Sequence, residues 1–207
     1  TFGKLGFKPD PKEVMTPIEE TLGVLGELVD SGKIRQVGVS NETAWGVMRY
    51  LAAHEKGVGP RLVSIQNPYS LLNRSFEAGL AEVAVREQVG LLAYAPAAAG
   101  MLEGKYLGGA RPQGSRLQRF PENTRYLTPN AEPATRAYVE LAQKHGLDPV
   151  RMATAFVLQQ PFTTAAIVGA TSLEQLENQF AAMETSLSDE LLQEIEKLHA
   201  VFTYPCP

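Results

Sequence analysis

From residue 16 onward, apolar side chains recur at two alternating spacings. Ile18, Leu22, Leu25, Leu28 and Val29 form the stripe of an amphipathic helix. Thr16-Pro17-Ile18-Glu19 reads as its start: Thr16 caps, Pro17 sits where its missing N–H is not needed, and Glu19 completes a capping box. Ser31-Gly32 stops it. IRQVGV (34–39) then reads as a strand, and residues 42–56 as a helix with Trp45, Met48 and Leu51 on one face. LVSIQ (62–66) and GLLAY (90–94) are the next strands, with a helix over 76–88 between them. After Tyr94 the rhythm gives way to a Gly/Pro/Arg-rich segment, 95–132. Helices are expected at 132–145 and 149–160, the second opened by Asp148-Pro149. A fourth strand, TAAIV (164–168), leads to a helix capped by Ser172 with Gln175 as its box partner, and Ser188 caps a last helix running to His199.

Ile34, Leu62 and Gly90 stand 28 residues apart, so three βα units of equal length follow one another. Such units place parallel strands inside a layer of helices, an α/β fold. Four strands suit either an open doubly wound sheet or an arc of a (β/α)8 TIM barrel. Equal spacing favours the barrel, since a doubly wound sheet needs a reversal of strand order. A closed barrel takes ~250 residues, so four strands make about half of one. The chain therefore reads as a single partial domain over 1–207. It divides into a loop (1–15), βα units (16–94), a cofactor and substrate loop (95–132), and a last unit with extra helices and tail (133–207).

With 44% hydrophobic and 20% charged residues the chain can bury a core. A net charge of −4 with interspersed signs argues against nucleic acid or an anionic membrane as partner. A lone cysteine, Cys206, can form no internal disulfide and fits a reducing, cytoplasmic setting. No apolar run approaches the ~20 residues of a membrane span.

Polar residues gather where each strand ends: Ser40-Asn41, Gln66-Asn67, Tyr94 and Gly169-Ala170-Thr171. In a parallel α/β architecture that end is where ligands bind. Singly, each has a plain reading, Asn41 as a helix cap, Gln66 as a core amide, Tyr94 as a rim aromatic. Together they suit a flat heteroaromatic amide. Ser40, Asn41 and Gln66 offer donors and acceptors to a carboxamide, and Tyr94 a face for stacking. The small-residue loop APAAAGMLEGKY lets backbone N–H groups approach a phosphate, Lys105 and Arg116 add cations, and Gly169-Ala170-Thr171 opens a helix N-terminus. A nicotinamide dinucleotide across the mouth would use them all.

The segments GKIRQVGVSNETAWGVMRY, SIQNPYSLLNRSFE, GLLAYAP, GKYLGG, IVGATSLEQLEN and YPCP resemble the C-terminal half of an aldo-keto reductase, of the Tas-type and potassium-channel β-subunit-like branches. TFGKLGF resembles the Tas-type loop after the fourth barrel strand. The resemblance implies strands 5–8 of the barrel, NADPH (or NADH) as cofactor, and reduction of an aldehyde or ketone as the reaction. It implies that Ser40, Asn41 and Gln66 hold the nicotinamide carboxamide, and that Tyr94 stacks on the ring. Ala95, Pro96, Ala97, Ala98 and Ala99 match the loop over the pyrophosphate, with Ala95 where the family often has Ser. Lys105 and Arg116 match basic positions near the phosphates. Gly169, Thr171, Gln175, Asn178 and Gln179 match the adenosine-phosphate segment, but Lys and Arg are frequent at Gly169 and Gln175, and Glu-Asn is usual at Asn178-Gln179. The catalytic Tyr, Lys, Asp and His of the family come from the first four strands, so no catalytic residue is assigned and the chain alone is expected to be inactive. His54, His145, His199, Tyr69 and Tyr106 are not given that role. A nucleotide-binding regulatory subunit with little turnover is the alternative. An isomerase or aldolase barrel would put a carboxylate or lysine at the strand ends, which carry neither.

Overall fold

The apolar spacings become twelve helices and strands in a computed structural model that describes residues 6–10, 12, 14–122 and 124–207. Most of TFGKLGF, with residues 11 and 13 of the expected 1–15 loop and residue 123 of the 95–132 segment, lies outside the described residues. In order these are α1 (Ile18–Asp30), β1 (Val37–Ser40), α2 (Ala44–Glu55), β2 (Leu62–Pro68), α3 (Leu80–Arg86), β3 (Gly90–Tyr94), α4 (Arg116–Arg119), α5 (Ala131–Lys144), α6 (Pro149–Leu158), β4 (Thr163–Ile167), α7 (Leu173–Ala181) and α8 (Asp189–Val201). The four strands form one parallel sheet in the order β1-β2-β3-β4. That order has no reversal, so the sheet follows the sequential winding of a (β/α)8 barrel and not a doubly wound fold. No described helix is long and apolar enough to cross a membrane.

Register sorts the strand residues into two faces. Val39, Ile65 and Leu91 lie side by side, and Ile65 and Leu91 join Val47, Leu51 and Ala84 of the helices in the core. The opposite face carries the rows Gly38–Ser64–Gly90 and Ser40–Gln66–Leu92–Ala165. Side chains there interleave with glycines. A Cβ on Gly38 would fall 2.4 Å from Ser64 Oγ, and one on Gly90 would fall 1.9 Å from Thr164 Oγ1. Those two glycines make room for hydroxyls.

Several boundaries differ from expectation for local reasons. Pro17, not Thr16, is the residue before α1, and among the described residues no side chain caps it. Thr16 stands one position too early, and Glu19 instead pairs with Arg49 at 2.8 Å. β1 begins three residues late because Lys33 and Ile34 turn back, both donating to Leu28 O to close α1. Thr43, not Asn41, caps α2, accepting from Gly46 N at 3.1 Å. Trp45 and Met48 are exposed (63% and 43%), because the buried stripe runs through Val47 and Leu51. The expected 76–88 helix is broken at Gly79, whose φ is 102°. Only a single turn, Ser75–Glu77, precedes it, and α3 follows.

Candidate cofactor site

A cleft of about 1370 Å³ opens at the C-terminal ends of β3 and β4. Its floor is Tyr94 and the loop that follows, one wall is the segment carrying Ser115, Arg116, Arg125 and Tyr126, and the other is Gly169–Gln179 with Arg151. Of the residues singled out from sequence, Tyr94, Ala95, Pro96, Ala97, Ala99, Lys105, Arg116, Gly169, Thr171, Gln175, Asn178 and Gln179 all line it. Ala98 does not; it is fully buried beneath the loop.

Ser40, Asn41 and Gln66 sit beside this cleft on neighbouring strand ends. Ser40 pairs with Gln66 across the ladder, and its hydroxyl donates to Gln66 O at 3.1 Å. Asn41 takes a left-handed φ of 54°, which asparagine tolerates better than most residues, and its N–H donates to Gln66 O at 3.0 Å. The Tyr94 hydroxyl donates to Asn41 Oδ1 at 2.7 Å, tying this group to the cleft floor.

The loop after β3 is strained. Ala95, Ala98 and Ala99 have φ of 56°, 50° and 57°, a region that costs an L-residue about 1 kcal/mol or more and concentrates at functional sites. Ala98 N turns back to Ala95 O and Gly100 N to Ala97 O. The Ala97 and Ala99 N–H groups have no acceptor in these turns among the described residues, although both residues line the cleft. Gly100, at φ 88°, lets Lys105 lie across the loop, since a Cβ there would meet Lys105 Cε at 2.8 Å and Nζ at 3.1 Å. Lys105 is paired with Glu103 at 2.5 Å.

On the first wall, Ser115 Oγ is buried without a partner among the described residues, although the residue lines the cleft. Arg116 next to it lies over the Phe120 ring at 5.5 Å, with no carboxylate within ion-pair distance among the described residues. On the second wall, Ser172 caps α7 by accepting from Gln175 N at 3.2 Å. The Gln175 side chain closes no capping box there, because its Oε1 accepts from Thr171 N at 2.9 Å, one residue upstream. Asn178 Nδ2 donates to Asp148 Oδ1 (2.7 Å), its Oδ1 accepts from Arg151 Nε (3.1 Å), and Asp148 caps α6 through Arg151 N (2.9 Å). Gln179 Oε1 accepts from the buried Thr154 hydroxyl at 2.8 Å.

Ser115, Arg125, Tyr126 and Arg151 were missed from sequence. Arg151 lies in the first turn of a helix, remote from any strand end, and Ser115 and Tyr126 sit in a segment without periodicity. Tyr69 does not line the cleft. It stacks in the core among Phe76, Phe156 and Phe162, and burial followed by the Glu77 carboxylate pushes its phenol pKa far upward. His54 bonds Gly59 O within its own helix-end turn, and His145 closes α5.

A model of the Aldo/keto reductase family matches residues 8–200. The chain is 50% identical over 206 residues to Protein tas of Escherichia coli (strain K12), covering 100% of this chain and 60% of that protein. It is 38% identical over 196 residues to an aldo-keto reductase of Babesia bovis, covering 90% of this chain and 68% of the relative. Over 189 residues it is 34% identical to L-glyceraldehyde 3-phosphate reductase of Escherichia coli O157:H7, covering 88% and 54%.

Proposed function

The chain belongs to the aldo/keto reductase family, and on that premise we propose that it is the cofactor-holding second half of the barrel of an NAD(P)H-dependent aldehyde or ketone reductase. The observation that carries this is the cleft itself. It joins an aromatic floor, a strained small-residue loop, an orphan buried hydroxyl and the cations Lys105 and Arg116 at the ligand-binding end of a parallel sheet.

These residues fit a dinucleotide. Ser40, Asn41 and Gln66 would hold the carboxamide and Tyr94 the ring. Ala95 to Ala99 would cover the pyrophosphate through the Ala97 and Ala99 N–H groups, with Ser115, Lys105 and Arg116 on its oxygens. Gly169, Thr171, Gln175, Asn178 and Gln179 would take the adenosine end. The cofactor would supply hydride to a carbonyl carbon. This chain's residues orient it, and Tyr94 excludes water from one ring face. The general acid that protonates the carbonyl oxygen would come from the other half of the barrel, so this chain alone would bind without turning over. A lone buried cysteine suits a cytoplasmic enzyme.

The test is NADPH and NADH oxidation by the natural full-length protein across a panel of aldehydes and ketones, with nucleotide binding measured alongside. Turnover supports the reductase. Binding without turnover on any carbonyl would instead favour a nucleotide-sensing regulatory subunit, and absence of binding would overturn both.

A further inference from the structure

After α8 the backbone turns at Tyr204, whose φ is 51° and whose ring rests against His199 at 5.6 Å. The residues that follow run inward. Pro205 and Cys206 are both buried, Cys206 completely. Three hydrogen bonds fasten them to two different loops. Cys206 N donates to Leu72 O (3.0 Å), in the loop after β2. Thr128 Oγ1 donates to Pro205 O (2.5 Å), and Arg125 Nε to Pro207 O (2.9 Å). Leu72 is fully buried in the core.

Arg125 and Tyr126 line the cleft. Among its described residues, the stretch that carries them, between α4 and α5, has a single helical turn (Thr124–Tyr126) and no strand to hold it. We propose that residues 204–207 are a strap that positions Arg125 and Tyr126 as the outer wall of the nucleotide cleft, so that the tail governs how tightly the nucleotide is held. A wall ordered in advance spares the ligand the entropy of ordering it. The identity of the ligand rests on the cofactor reading above; the strap itself rests on these three bonds. Arg125 and Thr128 are held through carbonyls of the tail, so Thr128 is a positioning residue, not a catalytic one.

The experiment uses the natural full-length protein with Thr128→Val, Thr128→Ser and deletion of residues 205–207. Nucleotide affinity is read by calorimetry with NADPH, and tail fastening by the rate at which Ellman's reagent labels Cys206. Burial pushes that thiol's pKa up to about 12, so a fastened tail labels slowly. Thr128→Val should raise the NADPH Kd about fivefold, the loss of one hydrogen bond. It should also speed labelling, and Thr128→Ser should restore both. The deletion should weaken binding further and open the Arg125–Tyr126 bond to trypsin. If the Kd stays within about twofold for Thr128→Val while labelling is unchanged, the strap is wrong. Faster labelling with unaltered affinity likewise overturns its role in binding. Where the deletion does not fold, the Thr128 pair decides. If the unaltered protein binds no nucleotide, the cofactor reading fails, and trypsin and Ellman's reagent still judge the strap: unchanged rates in Thr128→Val overturn it.

Discussion

The Tyr94 hydroxyl reaches across the sheet, over the end of β2, to donate to Asn41 Oδ1 at 2.7 Å. Asn41 can receive it because its own backbone is turned to φ 54° and anchored on Gln66 O. One bond thus couples the aromatic floor of the cleft to the polar ends of two other strands.

Tyr94→Phe should leave stability within about 1 kcal/mol, because both partners are reached by water that can replace the bond. Its effect should appear in nucleotide affinity, as a Kd about three- to tenfold weaker with the ring face retained. Asn41→Gly separates the side chain from its backbone, since glycine takes a positive φ without strain. A Kd weakened in Asn41→Gly as much as in Tyr94→Phe would assign the effect to the amide. An unchanged Kd in both would remove Asn41 from the site.

The buried Arg74 should be the most sensitive charged position. It donates to both Glu77 oxygens (2.6 and 2.8 Å) and to Glu196 of α8 (2.7 Å), and lies over Phe156 at 5.1 Å. Tyr69 adds a hydroxyl to Glu77 at 2.5 Å. Arg74→Met would leave a partly buried carboxylate and a phenol without their cation, at a cost of about 3–5 kcal/mol in urea unfolding. The double change Arg74→Met with Glu77→Met should cost less than Arg74→Met alone, because no charge is stranded. A double variant as unstable as the sum of the singles would show that packing against Phe156, not the ion pair, is what matters.

How far the chain could be read in advance follows from which interactions are local. Strand GLLAY and the caps Asp148, Ser172 and Ser188 lie where spacing and capping chemistry put them, because neighbours along the chain decide them. The parallel winding was legible for the same reason: its period repeats. Asn41 was not, since a positive φ and a partner 53 residues away removed it from the helix cap. Arg151 and Ser115 were invisible because tertiary folding alone brings an α6 side chain and an irregular segment to one cleft. Trp45 and Met48 mimic a buried stripe that the true packing face misses by one position.

His199 gives a pH dependence with a definite sign. Burial, reinforced by the nearby Arg74 charge, holds its imidazole below the ordinary 6.5, and its Nδ1 is buried without a partner among the described residues. The unfolded chain therefore takes a proton near 6.5 that the folded state resists. Stability from this group is intact above that pH and declines as the pH falls below it, levelling once the folded imidazole also titrates. His199→Gln should flatten the part of the profile between about pH 7.5 and pH 5.5 in urea titrations. A slope identical in the two proteins would mean that other groups cause it.

If the cleft holds a nicotinamide dinucleotide, Arg151 bears on which form is preferred. Glu174 and Glu177 of α7 line the cleft, and Arg151 of α6 lines it too. Its Nε is held by Asn178 Oδ1, while no carboxylate lies within ion-pair distance of its guanidinium among the described residues. A cation so held is aimed by one amide and left able to meet an anion, whereas Gly169 and Gln175 offer no charge. If it meets the extra phosphate that distinguishes NADPH from NADH, Arg151→Ala should weaken NADPH about tenfold or more and NADH less than about twofold, the scale of one charge-assisted hydrogen bond. Arg151→Lys should recover part of the difference, since a point charge remains without the planar fork. Equal weakening of both nucleotides would place the effect in Asn178, released from its partner, and not in the charge.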